Sequence, residues 1–197
     1  MTTKLYDFDA YLSEFEATVR GATEKGDRYE ILLDRTAFFP EEGGQSADTG
    51  TLDGVRVLGA RLADGEIFHI TDAPLPVGAR AVGRLDFAER YDKMKQHTAE
   101  HILSGLFFSH FGYHNVGFHL GAEDTTLDFD GVPTREELDR IETLANEAVM
   151  KNLRVTAEYP PEAVLRELNY RSKLALTENV RIVTIEGVDV CACCAPH

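Results

Sequence analysis

The hydrophobic period of this chain changes near Phe87, and that change divides it into a β-rich half followed by a mixed one. Before Phe87 the apolar residues come in short runs between turn signals. Ala17 to Arg20 and Tyr29 to Leu33 flank the polar stretch Gly21 to Asp27, and Val55 to Leu62 and Ile67 to Ile70 flank Ala63-Asp64-Gly65-Glu66. Asp-Gly between β-formers signals a hairpin. Ala79 to Leu85 follows Pro74 and Pro76 as a further strand. The first half is therefore read as a small antiparallel barrel or sandwich over residues 1–87, and residues 88–197 as an α+β domain, giving an α+β fold class. At 197 residues the chain is long enough for two small cores.

After Phe87, Tyr91, Met94, His97, Thr98, His101, Ile102, Gly105 and Leu106 recur at three- and four-residue steps, which predicts a helix whose apolar face carries both histidines. A second helix is expected from Thr134, whose hydroxyl caps the backbone while Glu137 reaches back. Its buried stripe would be Leu138, Ile141, Leu144, Ala145 and Ala148. Leu153 to Tyr159 alternates as a strand, Pro160-Pro161 open a short helix around Ala163 to Leu168, and Val180 to Ile185 is a strand that delivers the chain to its cysteines.

All 3 cysteines lie at positions 191, 193 and 194, a count and clustering that suit a metal or catalytic site rather than a disulfide framework. Two histidines one turn apart, His97 and His101, are more often packing residues than ligands. Cys193 and His197 supply a second pair with the same spacing, in a chain otherwise poor in cysteine, and together the four residues offer a His₃Cys set. Imidazole nitrogen and thiolate sulfur suit zinc; magnesium and calcium want oxygen. Either Cys191 or Cys194 could substitute for Cys193 in the shell.

Glu100 is a candidate general base if it points at the ion, but successive helix positions diverge by about 100°, so it is expected to face solvent. His97 to His101 also reads as H-x-x-E-H, the inverted zinc-peptidase motif, which would make Glu100 the base. A third reading is a zinc-stapled module that binds RNA or a synthetase without chemistry, because four protein ligands close a structural zinc.

The peptidase reading leaves further segments without purpose. Thr36-Ala37-Phe38-Phe39-Pro40-Glu41-Glu42-Gly43-Gly44-Gln45, continuing to Asp48-Thr49-Gly50, and Gly117-Phe118-His119-Leu120 through Thr125-Thr126-Leu127-Asp128-Phe129 join the His-x-x-x-His and Cys-x-x-x-His pairs. Together they resemble the AlaX-type alanyl-tRNA editing proteins and the editing domain of alanyl-tRNA synthetase, over nearly the whole chain. The resemblance implies an N-terminal β-barrel of the medium-length type followed by a zinc-binding editing domain. It implies trans hydrolysis of the ester joining serine, or in some members glycine, to the acceptor end of alanine tRNA. His97, His101, Cys193 and His197 would be the metal ligands, and Gly43, Gly44, Gln45, His119 and Thr126 the substrate contacts. Where the family has two glycines and a threonine before the last histidine, this chain has Cys194-Ala195-Pro196, and relatives continue past that histidine, so the sequence is expected to be a shortened form.

Such an activity has a physical motive. A small apolar pocket gains only about 1–3 kcal/mol against a neighbour differing by one methyl or hydroxyl group, whereas a site that pairs with a hydroxyl rejects the analogue lacking it far more strongly. Gln45 and Thr126 are the candidates for pairing with the serine hydroxyl. The 20 Lys+Arg against 34 Asp+Glu give a formal net charge of −14, which disfavours non-specific DNA binding and leaves RNA contact to local patches. Arg84, Arg90, Lys93 and Lys95, and Arg166, Arg171 and Lys173, are the expected phosphate contacts, with Phe118 and Tyr170 as possible stacking rings for the terminal adenosine. With no apolar run long enough to span a bilayer and no signal-peptide core at the start, a cytoplasmic protein without membrane partners is expected.

Overall fold

The computed structural model describes residues 1–121, 124–172 and 179–197. Chain contacts divide it into two compact units, Met1–Met94 and Lys95–Ala195 with His197. The division falls inside a helix, past the expected boundary at Phe87.

The first unit contains β1 (Thr3–Lys4), β2 (Glu14–Lys25), β3 (Arg28–Leu33), β4 (Arg35–Thr36), β5 (Gly50–Leu52), β6 (Val55–Ala63), β7 (Glu66–Thr71) and β8 (Arg80–Leu85). Six of these close into a barrel in the order β2-β3-β7-β6-β5-β8. Closure leaves no exposed sheet edge. Alternate residues fill its interior, among them Phe15, Ala17, Val19, Ile31, Leu33, Phe38, Leu52 and Val57. Each fully buried Leu, Ile or Phe side chain contributes roughly 1.5–3 kcal/mol.

Two differences from the sequence reading concern turns. β2 continues from Glu14 to Lys25, so most of the polar stretch after Gly21 is strand rather than loop. Pairing with β3 up to Lys25 and Arg28 confines the turn to Gly26-Asp27. The short β5 went unread because Gly50 and Thr51 carry little apolar signal; it forms a hairpin with β6 through Asp53-Gly54. Asp64-Gly65 turns the chain between β6 and β7 as the sequence suggests.

A buried ion pair organises the unit's last stretch. Arg90 Nε donates to both Asp48 carboxylate oxygens at 2.9 Å, Nη1 to the Ala10 carbonyl at 3.2 Å and Nη2 to the Ala37 carbonyl at 2.6 Å. His69, on β7, is held between β3 and β4: Nδ1 meets the Ile31 carbonyl at 3.0 Å and Nε2 the Thr36 hydroxyl at 2.7 Å. Burial pushes its pKa down to about 4, so it is neutral at physiological pH.

Helix α1 (Phe87–Phe111) leads into the second unit, which continues with β9 (Asn115–Leu120), β10 (Thr125–Phe129), α2 (Arg135–Met150), β11 (Val155–Glu158), α3 (Glu162–Glu167), β12 (Ile182–Ile185) and β13 (Asp189–Ala192). β9 and β10 form an antiparallel hairpin, and β11-β12-β13 an antiparallel sheet. Ile102, Leu106 and Phe107 of α1 pack with Ile141 and Ala148 of α2 and Ile185 of β12. The capping box at Thr134 is present, with Glu137 N donating to Thr134 Oγ1 at 3.2 Å and Thr134 N to Glu137 Oε2 at 2.7 Å. Leu138 departs from the expected stripe and is exposed, because it lies one turn before the face that Ile141 and Ala148 bury. Among the described residues no helix is long and apolar enough to cross a membrane.

Candidate metal centre

Helix geometry puts His97 and His101 one turn apart on the same side of α1, with ring centroids 5.5 Å apart and both rings buried. The segment after β13 returns to that face. Cys193 Sγ lies 3.6 Å from His97 Nε2 and 3.4 Å from His197 Nε2, and the His197 ring stands 4.5 Å from that of His101. One donor atom from each of the four residues falls within 4.8 Å of all the others. A tetrahedral shell with Zn–N near 2.0–2.1 Å and Zn–S near 2.3 Å needs donor separations of about 3.3–3.8 Å. The two Cys193 separations fall in that range and the donor set is one that could hold a metal ion; Cys193 is the cysteine that joins this group.

The outer faces of two ligands are fixed. His101 Nδ1 meets Asp189 Oδ2 at 3.1 Å, and His197 Nδ1 meets Thr98 Oγ1 at 3.1 Å, which turns Nε2 of each ring towards the cluster. Arg171 grips Asp189 with Nε on Oδ1 at 2.7 Å and Nη2 on Oδ2 at 2.8 Å. Burial would raise the Asp189 carboxyl, but the Arg171 fork and the His101 hydrogen bond together outweigh it and hold the pKa below its ordinary value. Arg181, also buried, donates from Nη1 to the carbonyls of Cys193 at 3.1 Å and Ala195 at 2.7 Å, pinning the ligand loop. Burial pushes the Cys193 thiol up to about 12 and the His197 imidazole well below its usual value. Neutral imidazole is the form that ligates a metal. A second group of donors, His101, Asp189 and Cys191, shares His101. The Arg171 fork already occupies both Asp189 oxygens, so this group is a support rather than a rival centre.

Glu100 departs from expectation: it is 5% exposed rather than solvent-facing. Its Oε1 accepts from Ser104 Oγ and Asn115 Nδ2, each at 2.7 Å, while Oε2 lies 3.7 Å from His101 Nε2. The one-stripe helix picture fails because α1 is covered on more than one side, and the first residue of β9, Asn115, meets the turn from Glu100 to Ser104.

No family model matches the chain. Over its entire length it is 36% identical to the "Alanyl-tRNA editing protein AlaX-M" of Methanosarcina barkeri, covering 87% of that protein. It is 37% identical to the protein of the same name from Methanosarcina mazei, covering 85%. The chain belongs to the AlaX family of alanyl-tRNA editing proteins. It is also 34% identical to the "Alanine--tRNA ligase" of Ignicoccus hospitalis, of whose length it spans 23%.

The remaining expected contacts of this AlaX chain fall in different places. Strand alternation puts Phe118 and Leu127, which are register partners, on one face of the β9–β10 hairpin, with Phe118 against His97 at 4.8 Å between ring centroids. His119 and Thr126, paired across the strands, are exposed on the other face and are not brought to the histidines. Thr125 is the threonine on the Phe118 side. Gly43, Gly44 and Gln45 belong to the first unit. There Gly43 and Gly44 both take positive φ, 63° and 82°, in a tight turn closed by reciprocal backbone hydrogen bonds between Glu42 and Gln45. Their backbone is exposed, whereas the Gln45 side chain is buried.

Several expected phosphate contacts are structural instead. Arg90 is sealed against Asp48, Lys93 Nζ donates to the Ala47 carbonyl at 2.8 Å, and Arg171 supports Asp189. Arg84 pairs with Glu14 and Arg166 with Glu162 at the surface, Lys95 is exposed, and Lys173 lies outside the described residues. Tyr170 packs on the Leu165, Val180 and Ile182 cluster. Sequence reasoning missed Asp189 and Arg181. Both are charged residues set inside apolar β-runs, Val188-Asp189-Val190 and Val180-Arg181-Ile182, a pattern that signals a partnered buried charge.

Proposed function

We propose that this chain hydrolyses the ester linking a misattached amino acid, serine first and glycine second, to the 3′ end of alanine tRNA, with zinc held by His97, His101, Cys193 and His197. The convergence of those four donors beside the buried carboxylate of Glu100, in a chain of the AlaX family, carries this reading. Bound zinc supplies Lewis acidity, polarising an ester carbonyl or acidifying a water. The protein's own contribution is proton transfer and orientation. Ser104 and Asn115 hold Glu100 by Oε1, leaving Oε2 facing the cluster to take a proton from the attacking water. Phe118 forms an apolar wall against His97 that excludes bulk water from one side. The Thr125 hydroxyl, on the same hairpin face, is placed to test the amino acid side chain. Cytoplasmic location suits a substrate made there.

The deciding experiment incubates the purified protein with serine-charged and alanine-charged alanine tRNA. Selective release of serine is expected; release of neither amino acid overturns the reading. Glu100→Gln should lower kcat by roughly 10²–10⁴ with zinc content retained. Four donors that close a structural zinc favour one second reading, a tRNA-binding module without chemistry. Zinc retention and tRNA binding with no deacylation would establish it.

A further inference from the structure

We propose that Asp189, clamped by Arg171, is a positioning residue for His101: it holds the ring with the proton on Nδ1 and the Nε2 lone pair turned into the metal centre. This rests on the metal reading above, but it concerns a carboxylate that contributes no donor to the His₃Cys shell.

The contact runs from His101 Nδ1 to Asp189 Oδ2 at 3.1 Å, with both side chains buried. An ionised carboxylate only accepts hydrogen bonds, so the ring donates through Nδ1, and in the neutral, metal-ligating imidazole this leaves Nε2 as the lone pair. Arg171 makes the carboxylate rigid as well as charged, because its two-point fork at 2.7 and 2.8 Å fixes the carboxylate plane. Arg171 is tied to the same strand by its backbone: its N–H donates to the Val190 carbonyl at 2.8 Å and its carbonyl accepts from Ala192 N–H at 2.9 Å. The clamp and the carboxylate therefore move together.

Gly105, one turn beyond His101, makes the approach possible. A Cβ there would stand 2.7 Å from the Val188 carbonyl oxygen and 2.8 Å from Asp189 Cβ, closer than such atoms approach. Only a residue without a side chain lets the start of β13 lie against α1. The same strand ends at Ala192, immediately before Cys193, so one element carries the support of one ligand and leads directly to another.

Asp189→Asn distinguishes orientation from mere packing. The amide has one oxygen to offer two neighbours. If that oxygen stays with Arg171, the amide NH₂ faces His101 and requires Nδ1 to accept, which shifts the ring proton to Nε2 and aims it at the ion. Outer partners of metal-bound histidines typically contribute 10–100-fold to metal affinity.

The test uses the full chain, stripped of metal and titrated with zinc alone against a chromophoric chelator, with the His101 tautomer read by nitrogen–proton NMR in the metal-free protein. The wild type is expected to show the Nδ1–H tautomer, and Asp189→Asn the Nε2–H tautomer with zinc affinity 10–100-fold weaker. A folded Asp189→Asn protein with unchanged tautomer and unchanged affinity overturns the proposal. Should that variant not fold, Arg171→Met and Gly105→Ala take its place. Each is expected to weaken zinc binding several-fold, and wild-type affinity in both overturns the proposal. Failure of the wild type to bind zinc removes the metal reading, and the tautomer measurement still decides the role of Asp189.

Discussion

Arg90 in the first unit is 1% exposed and His101 in the second is 2% exposed, yet their surroundings differ in kind. Around Arg90, donors end on acceptors: the Asp48 carboxylate and the carbonyls of Ala10 and Ala37. His69 in the same unit is likewise bracketed, by the Ile31 carbonyl and the Thr36 hydroxyl. Around His101 one ring nitrogen is answered by Asp189, while the ring also belongs to a group with Cys193, His97 and His197 whose ligand atoms lie within 4.8 Å of one another. Three imidazoles and a thiol side by side form a donor set that a cation can bridge. A buried polar group paired with one partner marks architecture; several metal-ligating side chains brought within reach of one another mark a place that could hold an ion.

The largest effect that would sharpen this contrast lies in the first unit. Asp48→Ala strands the Arg90 guanidinium in the interior, which costs about 3–5 kcal/mol and should lower the thermal midpoint by about 6–20 °C. A drop no larger than that of a surface substitution would erase the contrast. Next comes acid sensitivity. His69 titrates near 4 when folded and near 6.5 when unfolded, so the unfolded chain binds the proton more readily between those values. Its stabilising contribution is full above about pH 6.5 and is lost as the pH falls towards 4, by roughly 3 kcal/mol in total. Urea unfolding as a function of pH should show that slope in the wild type, and His69→Gln should flatten it. For the second unit the lever is the ligand: zinc at 100 times its dissociation constant should raise the unfolding free energy by about 2.7 kcal/mol. Cys193→Ser should lose most of that gain while leaving the response to acid intact. The smallest effect is local. Thr134→Ala removes one half of the capping box and should cost about 1 kcal/mol without changing zinc affinity.

The chemistry of the site was legible because it is carried by residue type and spacing. His97 and His101 share a face whenever they lie on a helix, and a second Cys/His pair in a cysteine-poor chain has few other uses. What spacing does not record is burial. Glu100 looks solvent-facing if the helix has one apolar stripe, and it is enclosed because Asn115 covers a second side. Arg90 and Lys93 read as phosphate contacts for the same reason: a sequence shows their charge and not the Asp48 and Glu89 that neutralise it. Thr126 and Thr125 are adjacent in the chain, and only the strand register decides which of them shares the side of Phe118.

The four donors also come from two distant stretches, one helical turn and one loop made almost a hundred residues later. While the chain is still emerging from the ribosome, the two histidines alone offer only a weak two-point grip on an ion. A four-point hold on an ion would therefore come only once the fold around Arg181 and Asp189 is complete, and a half-folded molecule would offer no more than that weak grip.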